Sequence, residues 1–267
     1  MRVAVVGHVE WVQFARVARV PVAGEIVHAS AAWEAPGGGG AVAAVVLGRL
    51  AGGAAFFTAL GEDALGRRAD EELQRHGLAV HTAWRAEPQR RAFVFVDDDH
   101  ERTITVTGRR LAPHAGDALP WDDLARVDAV YFTAGDAAAL RRAREARVLV
   151  ATPRAREAFA GAGVALDVLV RSGSDEGEAY RPGELDPPPR MIVTTEGPRG
   201  GRYEAADGRT GTWDPAPLPG PPVDSYGAGD SFAAMLTYAL GRGVEIEAAL
   251  AEAARSGAAA LASRGPY

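Results

Sequence analysis

The stretch "DSYGAGDSF" (224–232) runs Gly227, Ala228 and Gly229 directly into Asp230. Beyond it, Phe232, Met235, Leu236, Ala239 and Leu240 recur on one face of a helix, which Gly241 closes. The spacing predicts that Asp230 lies in that helix's first turn. Backbone N–H groups there have no intrahelical partners and sit at the positive end of the macrodipole. Bare residues let an anion reach them, which makes a phosphate-sized pocket that needs no Lys. A neighbouring carboxylate can then accept the proton of an attacking hydroxyl, since phosphoryl transfer depends on a positioned nucleophile and stabilised charge. The helix terminus is expected to favour the ionised carboxylate. An Asp that merely stabilises its helix, by about 1 kcal/mol or less, accounts for the acid but not for three small residues ahead of it.

Outward from this stretch the chain reads as α/β. "RVAVVG" (2–7) is a buried strand and "EIVHASAAW" (25–33) a second. "PGGGG" (36–40) is expected to break the chain before a buried helix over 41–50. A strand over 54–61 precedes an amphipathic helix over 62–77, stopped by Gly77. "RRAFVFV" and "RTITVTG" flank the acidic turn 97–101, and Thr103, Thr105 and Thr107 alternate with apolar residues, a hairpin signature. From residue 128, strands over 128–135, 147–152, 166–172 and 190–195 alternate with segments read as helical, including 153–163. Such alternation argues for a mostly parallel sheet covered by helices. The economical reading is one domain, 1–267, with a small β lid from about 10–35 and 88–108.

Composition narrows the chemistry. With 267 residues, 47% hydrophobic, the chain can bury one substantial core. It has no Cys, so disulfides, thiolate metal sites and a Cys nucleophile are excluded. It also has no Lys and no Asn, so all 29 basic residues are Arg. A Walker-type phosphate loop and a Schiff-base Lys are therefore closed. The net charge of −6 argues against general affinity for nucleic acid or anionic membrane. No apolar run approaches the ~20 residues of a membrane span, and the N-terminal stretch lacks a signal-peptide layout, so the expected location is the cytoplasm.

The motif resembles the second signature of the ribokinase-like, or PfkB-type, carbohydrate kinases, D-T-x-G-A-G-D-x-F. "PGGGGAVAAVVLGRLAG" is similar to the family's first signature, "FFTALGEDALG" to its continuation, and "VTTEGPRGG" (193–201) to its nucleotide segment, all in order over nearly the whole chain. The resemblance implies a three-layer α/β/α sandwich with a β lid, and an ATP- and Mg²⁺-dependent kinase. Its acceptor is expected to be a hydroxyl, a primary alcohol, of a sugar, nucleoside or related small molecule. Asp230 would be the base; Gly227, Ala228 and Gly229 the anion hole; Thr195, Gly197 and Gly200 the ATP loop. Glu10, Gly38 and Gly39 would meet the substrate. Asp175 and Glu178, in "DEGE", stand where relatives carry N-x-x-E and would organise Mg²⁺ through water. The family also brings a monovalent cation and a homodimer paired through the lids.

The substrate positions depart from the family. Glu10, Val12 and Val42 stand where relatives carry Asn, Asp and Asn, so two polar contacts become apolar and the pocket is expected to suit a less polar or differently hydroxylated molecule. Arg90, on the hairpin, would close over it. The same departures leave open a second reading, a catalytically weak binding or regulatory protein on this scaffold. A nicotinamide oxidoreductase fails because "GHVEWV" after the first strand is not G-x-G-x-x-G.

Overall fold

Strand β1 (Val3–Val6) shows how the chain builds a sheet buried on both faces. Side chains alternate along a strand; Val3 and Val5 enter one apolar cluster, while Ala4 and Val6 enter another. Burial on both sides is why the run reads as continuously apolar. The computed structural model describes residues 1–267. Parallel to β1 lie β4 (Ala54–Gly61) and β5 (Leu78–Arg85) on one side. On the other lie β8 (Ala129–Phe132), β9 (Val148–Ala151), β10 (Val168–Ser172) and β11 (Met191–Thr195). The antiparallel hairpin of β12 (Gly201–Ala205) and β13 (Thr210–Trp213) completes a nine-stranded sheet of order β13-β12-β11-β10-β9-β8-β1-β4-β5.

Four helices, α1 (Gly38–Ala51), α2 (Ala64–Arg75), α4 (Ala228–Gly241) and α5 (Ile246–Leu261), supply the first cluster. The other face is covered by α3 (Ala137–Ala143) and two 3₁₀ turns, Trp121–Arg126 and Pro153–Ala158. The layers are those of an α/β/α sandwich. No helix is long and apolar enough to cross a membrane.

A second sheet of four strands, β3-β2-β6-β7, stands apart from the first. It comprises β2 (Glu10–Arg16), β3 (Ala31–Gly37), β6 (Arg91–Val96) and β7 (Arg102–Thr107). The pair β6–β7 is the antiparallel hairpin that the alternating threonines predict, with Phe93 opposite Thr105 and Phe95 opposite Thr103.

Three local expectations are corrected. "PGGGG" is not a break: β3 runs to Gly37 and α1 starts at Gly38, with no loop between them. The strand expected over 25–33 begins only at Ala31, because β2 ends its pairing at Arg16↔Ala31 and earlier residues have no partner strand. Pro36 is tolerated because β3 is an edge strand. In segment 153–163 only Pro153–Ala158 is helical, as a short 3₁₀ turn capped at Phe159, and Gly161 and Gly163 beyond it take positive φ (70° and 65°), which does not continue a helix.

The topology fixes where a ligand can sit. From β1 the chain turns to β4 on one side and later returns to β8 on the other, so the connections diverge at β1. Crevices form outside the carboxyl ends of the strands at such a switch point. Thr133 and Thr152 directly follow β8 and β9, His8 follows β1 after Gly7, and Ser172 and Thr195 end β10 and β11. All five line one cavity of ≈ 550 Å³.

Candidate active site

Two helix N-termini meet in this cavity. Helix α4 starts from Gly227, whose φ of 80° is left-handed, and no side chain caps it. Helix α1 starts from Gly37, also without a side-chain cap. Uncapped first-turn N–H groups leave donors free for a ligand. Asp224 holds the approach to α4: its Oδ1 accepts from the Tyr226 N–H at 2.8 Å and its Oδ2 from the Gly265 N–H at 3.2 Å. The Gly38 N–H then donates to the Tyr226 hydroxyl at 2.9 Å, tying the two termini together.

The glycines are explained by this crowding. A Cβ on Gly39 would lie 2.9 Å from Asp230 Oδ1, and one on Gly40 would lie 2.5 Å from the His8 carbonyl oxygen. Gly38 combines a φ of 82° with Glu10 and His8 atoms 3.2–3.3 Å from a Cβ position. By contrast, nothing lies within 4 Å of a Cβ on Gly229. Gly229 is exposed and borders the cavity.

Asp230 is half-buried and lines the cavity. Its carboxyl is raised from the usual 3.8 to about 7. Burial is the main cause, followed by the charge of Glu178; Arg102 and Arg154 offset part of this and Glu10 adds to the rise. This corrects the expectation that the helix terminus would favour the ionised form. Desolvation and two carboxylates outweigh the dipole, whose effect is modest.

The structure brings Glu10, Gly38, Gly39, Thr195, Gly197, Gly227, Gly229, Asp175 and Glu178 to the same cavity as Asp230. Ala228 and Gly200 are not on its wall. Gly200, at φ 77°, shapes the turn into β12, where a Cβ would strike the Trp213 carbonyl oxygen at 2.0 Å. Asp175 Oδ1 accepts from the Gly177 N–H at 2.8 Å, Glu178 Oε2 from the Ser172 N–H at 2.7 Å, and both carboxylates pair with Arg154. Carboxylate oxygens keep lone pairs beyond these bonds, so the pair fits a hydrated Mg²⁺, which retains waters and takes one or two carboxylates beside phosphate oxygens.

Val12 and Val42 do not face the ligand space. Both are fully buried, in a small cluster with Phe14, Val94 and Tyr226. The two apolar replacements therefore stand behind the cavity wall and not in it. His8, Glu10, Arg90, Arg102, Arg110, Arg154 and Arg171 contribute to its wall instead. Arg90 Nε donates to Glu10 Oε1 at 2.7 Å. Burial, then the charges of Arg110, Arg90 and Arg154, hold His8 well below its ordinary pKa, so its imidazole is neutral. Arg102, Arg110 and Arg154 escaped the sequence reading, because they come from separate segments and arginine is the chain's only basic residue besides histidine.

The family model for the pfkB family carbohydrate kinases matches residues 1–157 and 140–267. No curated protein matches the sequence. Among solved structures, a candidate ribokinase from Agrobacterium tumefaciens superposes with a TM-score of 0.80 at 22% identity, covering 99% of this chain and 92% of that one. Ribokinase from Arabidopsis thaliana, complexed with ribose and ATP, gives 0.75 at 20% identity over 99% and 93%. Adenosine kinase from Sinorhizobium meliloti gives 0.76 at 18% identity over 99% and 95%. At these identities the likeness shows a shared fold.

Proposed function

The chain belongs to the pfkB family of carbohydrate kinases, and from that premise we propose that it transfers the γ-phosphoryl group of ATP to a hydroxyl of a polyhydroxylated small molecule. The observation that carries this reading is the convergence of Asp230 and the uncapped start of α4 in one cavity at the sheet's switch point. Nucleotide use is supported by the complexes of relatives, ribokinases solved with ATP or with ADP.

In this reading the acceptor lies between Glu10, Gly38 and Gly39 on one side and Asp230 on the other. Asp230 accepts the hydroxyl proton as the oxygen attacks phosphorus in line, and the bond to the leaving ADP oxygen breaks. The first-turn amides of 227–229 hold the equatorial oxygens while charge spreads onto them. Thr195 and Gly197, with the turn shaped by Gly200, border the nucleotide. Mg²⁺ near Asp175 and Glu178 would neutralise phosphate charge. A monovalent cation and pairing of two copies through the small sheet belong to the same reading and rest on the family resemblance.

The test is ADP release with ATP and Mg²⁺ over sugars, polyols, sugar acids, sugar phosphates and nucleosides. One acceptor class is expected to stimulate release well above the rate with no acceptor. Tight binding of a small molecule with no ADP release would favour a binding protein instead.

The pH profile follows from the acid. Asp230 accepts a proton only when ionised, and its carboxyl sits at about 7. The expected kcat/KM for the acceptor, which reports the free enzyme, falls about tenfold per pH unit below that value and levels above it. A flat profile from pH 5.5 to 8.5 would show that another group limits the reaction.

A further inference from the structure

Beside the first cavity lies a second, of ≈ 760 Å³. Arg90, Arg110 and Arg154 line both. The second also exposes Arg85, Arg109 and Arg156, against the acids Glu87, Asp136 and Glu157. It includes none of Thr195, Gly197 or residues 227–230, and it meets the proposed Mg²⁺ carboxylates only at its rim, through Gly177 and Arg154.

Most of these cations are already matched. Arg85 pairs with Asp117 at 2.6 Å, Arg90 with Glu10 at 2.7 Å, and Arg154 with Asp175 and Glu178. Arg109 reaches Glu87 at 4.0 Å. Arg110 and Arg156 have no carboxylate partner and bond only to carbonyl oxygens, Arg110 to that of Arg154 at 2.7 Å. Arg110 is half-buried. Burial and the charges of Arg90 and Arg154 push its pKa down, while Glu10 and Glu157 offset part of that. An arginine stays protonated in such a setting. A partly desolvated, permanent cation without a counter-ion is costly, and an anion placed against it would relieve the cost. His8, whose Nδ1 has no hydrogen-bond partner, lies instead beside Gly39 and Asp230.

Resting on the kinase reading above, we propose that the acceptor is itself anionic, carrying a carboxylate or phosphate monoester that Arg110, beside Arg90, holds on the side of the cleft that opens into the second cavity. Both anions present paired oxygens that a planar guanidinium meets in bidentate fashion. The wall would then supply specificity as well as affinity, because a neutral sugar leaves Arg110 unpaired.

The test is calorimetric titration, without nucleotide, of a matched panel: hexoses, their aldonates and their hexose monophosphates. At least one anionic series is expected to bind about 10-fold or more tightly than its neutral parent, and the two arms tell carboxylate from phosphate. Arg110→Gln should reduce that affinity about 10- to 100-fold and leave neutral sugars unaffected, with Arg110→Lys recovering part of the loss. In the wild type, added salt should weaken the anions alone, a readout that needs no variant. Neutral sugars binding as well as the anions, no anion binding, or an Arg110→Gln variant with undiminished preference would overturn the proposal. ADP release separates the two ideas. Anion binding without turnover would sink the kinase reading and leave the anion site, whereas turnover of neutral acceptors alone would do the reverse.

Discussion

Asp230→Asn is expected to fold normally and to lose at least ~100-fold in kcat for the acceptor identified by ADP release, the usual scale for a positioned base. Asn is nearly isosteric and can keep the side chain beside Gly39, where Asp230 Oδ1 would lie 2.9 Å from an added Cβ. It cannot accept a proton. The loss should therefore appear in kcat, with KM for ATP little changed, because the proposed nucleotide contacts, Thr195, Gly197 and the amides of 227–229, are left in place. A variant retaining a tenth or more of wild-type turnover would remove Asp230 from the base's role. The same substitution makes a stability prediction of opposite sense. The carboxyl titrates at about 7 in the folded chain, against 3.8 as its ordinary value. The unfolded chain thus ionises first as pH rises, and the wild type loses stability between those values. Asn does not titrate, so the variant's Tm advantage should grow from pH 5 to pH 7 and stay level above. A Tm difference independent of pH would show that the acid is not held in the neutral form.

Gly227→Ala and Gly229→Ala should separate two uses of glycine two residues apart. Gly227 has a φ of 80°, and a Cβ there would meet the Pro266 carbonyl oxygen at 2.7 Å and Val42 Cγ1 at 3.2 Å. Left-handed strain and forced repacking together predict about 2–4 kcal/mol of destabilisation, read as a Tm lower by about 5–10 °C. Gly229 is within a helix and a Cβ on it meets nothing within 4 Å. Its Ala variant should be as stable as the wild type or slightly more so, since Ala is the better helix former. The methyl would stand in the open space before the first-turn amides. Turnover is expected to fall roughly 10- to 100-fold, the scale of an ångström-sized misplacement of a reacting group. An active Gly229→Ala enzyme would show that the phosphoryl group does not approach through that space.

The parts of the molecule that local chemistry dictates could be read directly. Strand β1 follows from its continuous apolar run, the β6–β7 hairpin from alternation, and the start of α4 from glycines followed by a helical stripe. What escaped depends on which residues meet across the fold. The face of β2 that Val12 occupies is set by its period, but only the position of Tyr226 decides that this face is core and not pocket. Arg110 follows β7, Arg154 follows β9, and Arg90 precedes β6, and nothing in their neighbourhoods marks them as one wall. The charge state of Asp230 is hidden from local sequence for the same reason. Its own helix is visible in sequence, whereas the opposing carboxylates, Glu178 and Glu10, belong to distant segments. Gly200 matches a nucleotide motif by spacing, yet its surroundings give it a turn to shape.

The direct passage from β3 into α1 has a mechanical consequence. With zero residues of slack, the small sheet cannot behave as a free flap. At this connection a swing of it would have to be absorbed as torsion at Gly37 and Gly38, of which Gly38 borders the cavity, and hinges of this kind need only a few residues able to take up a large dihedral change. A displacement of the small sheet would then reach the cavity wall through the backbone, without a relay.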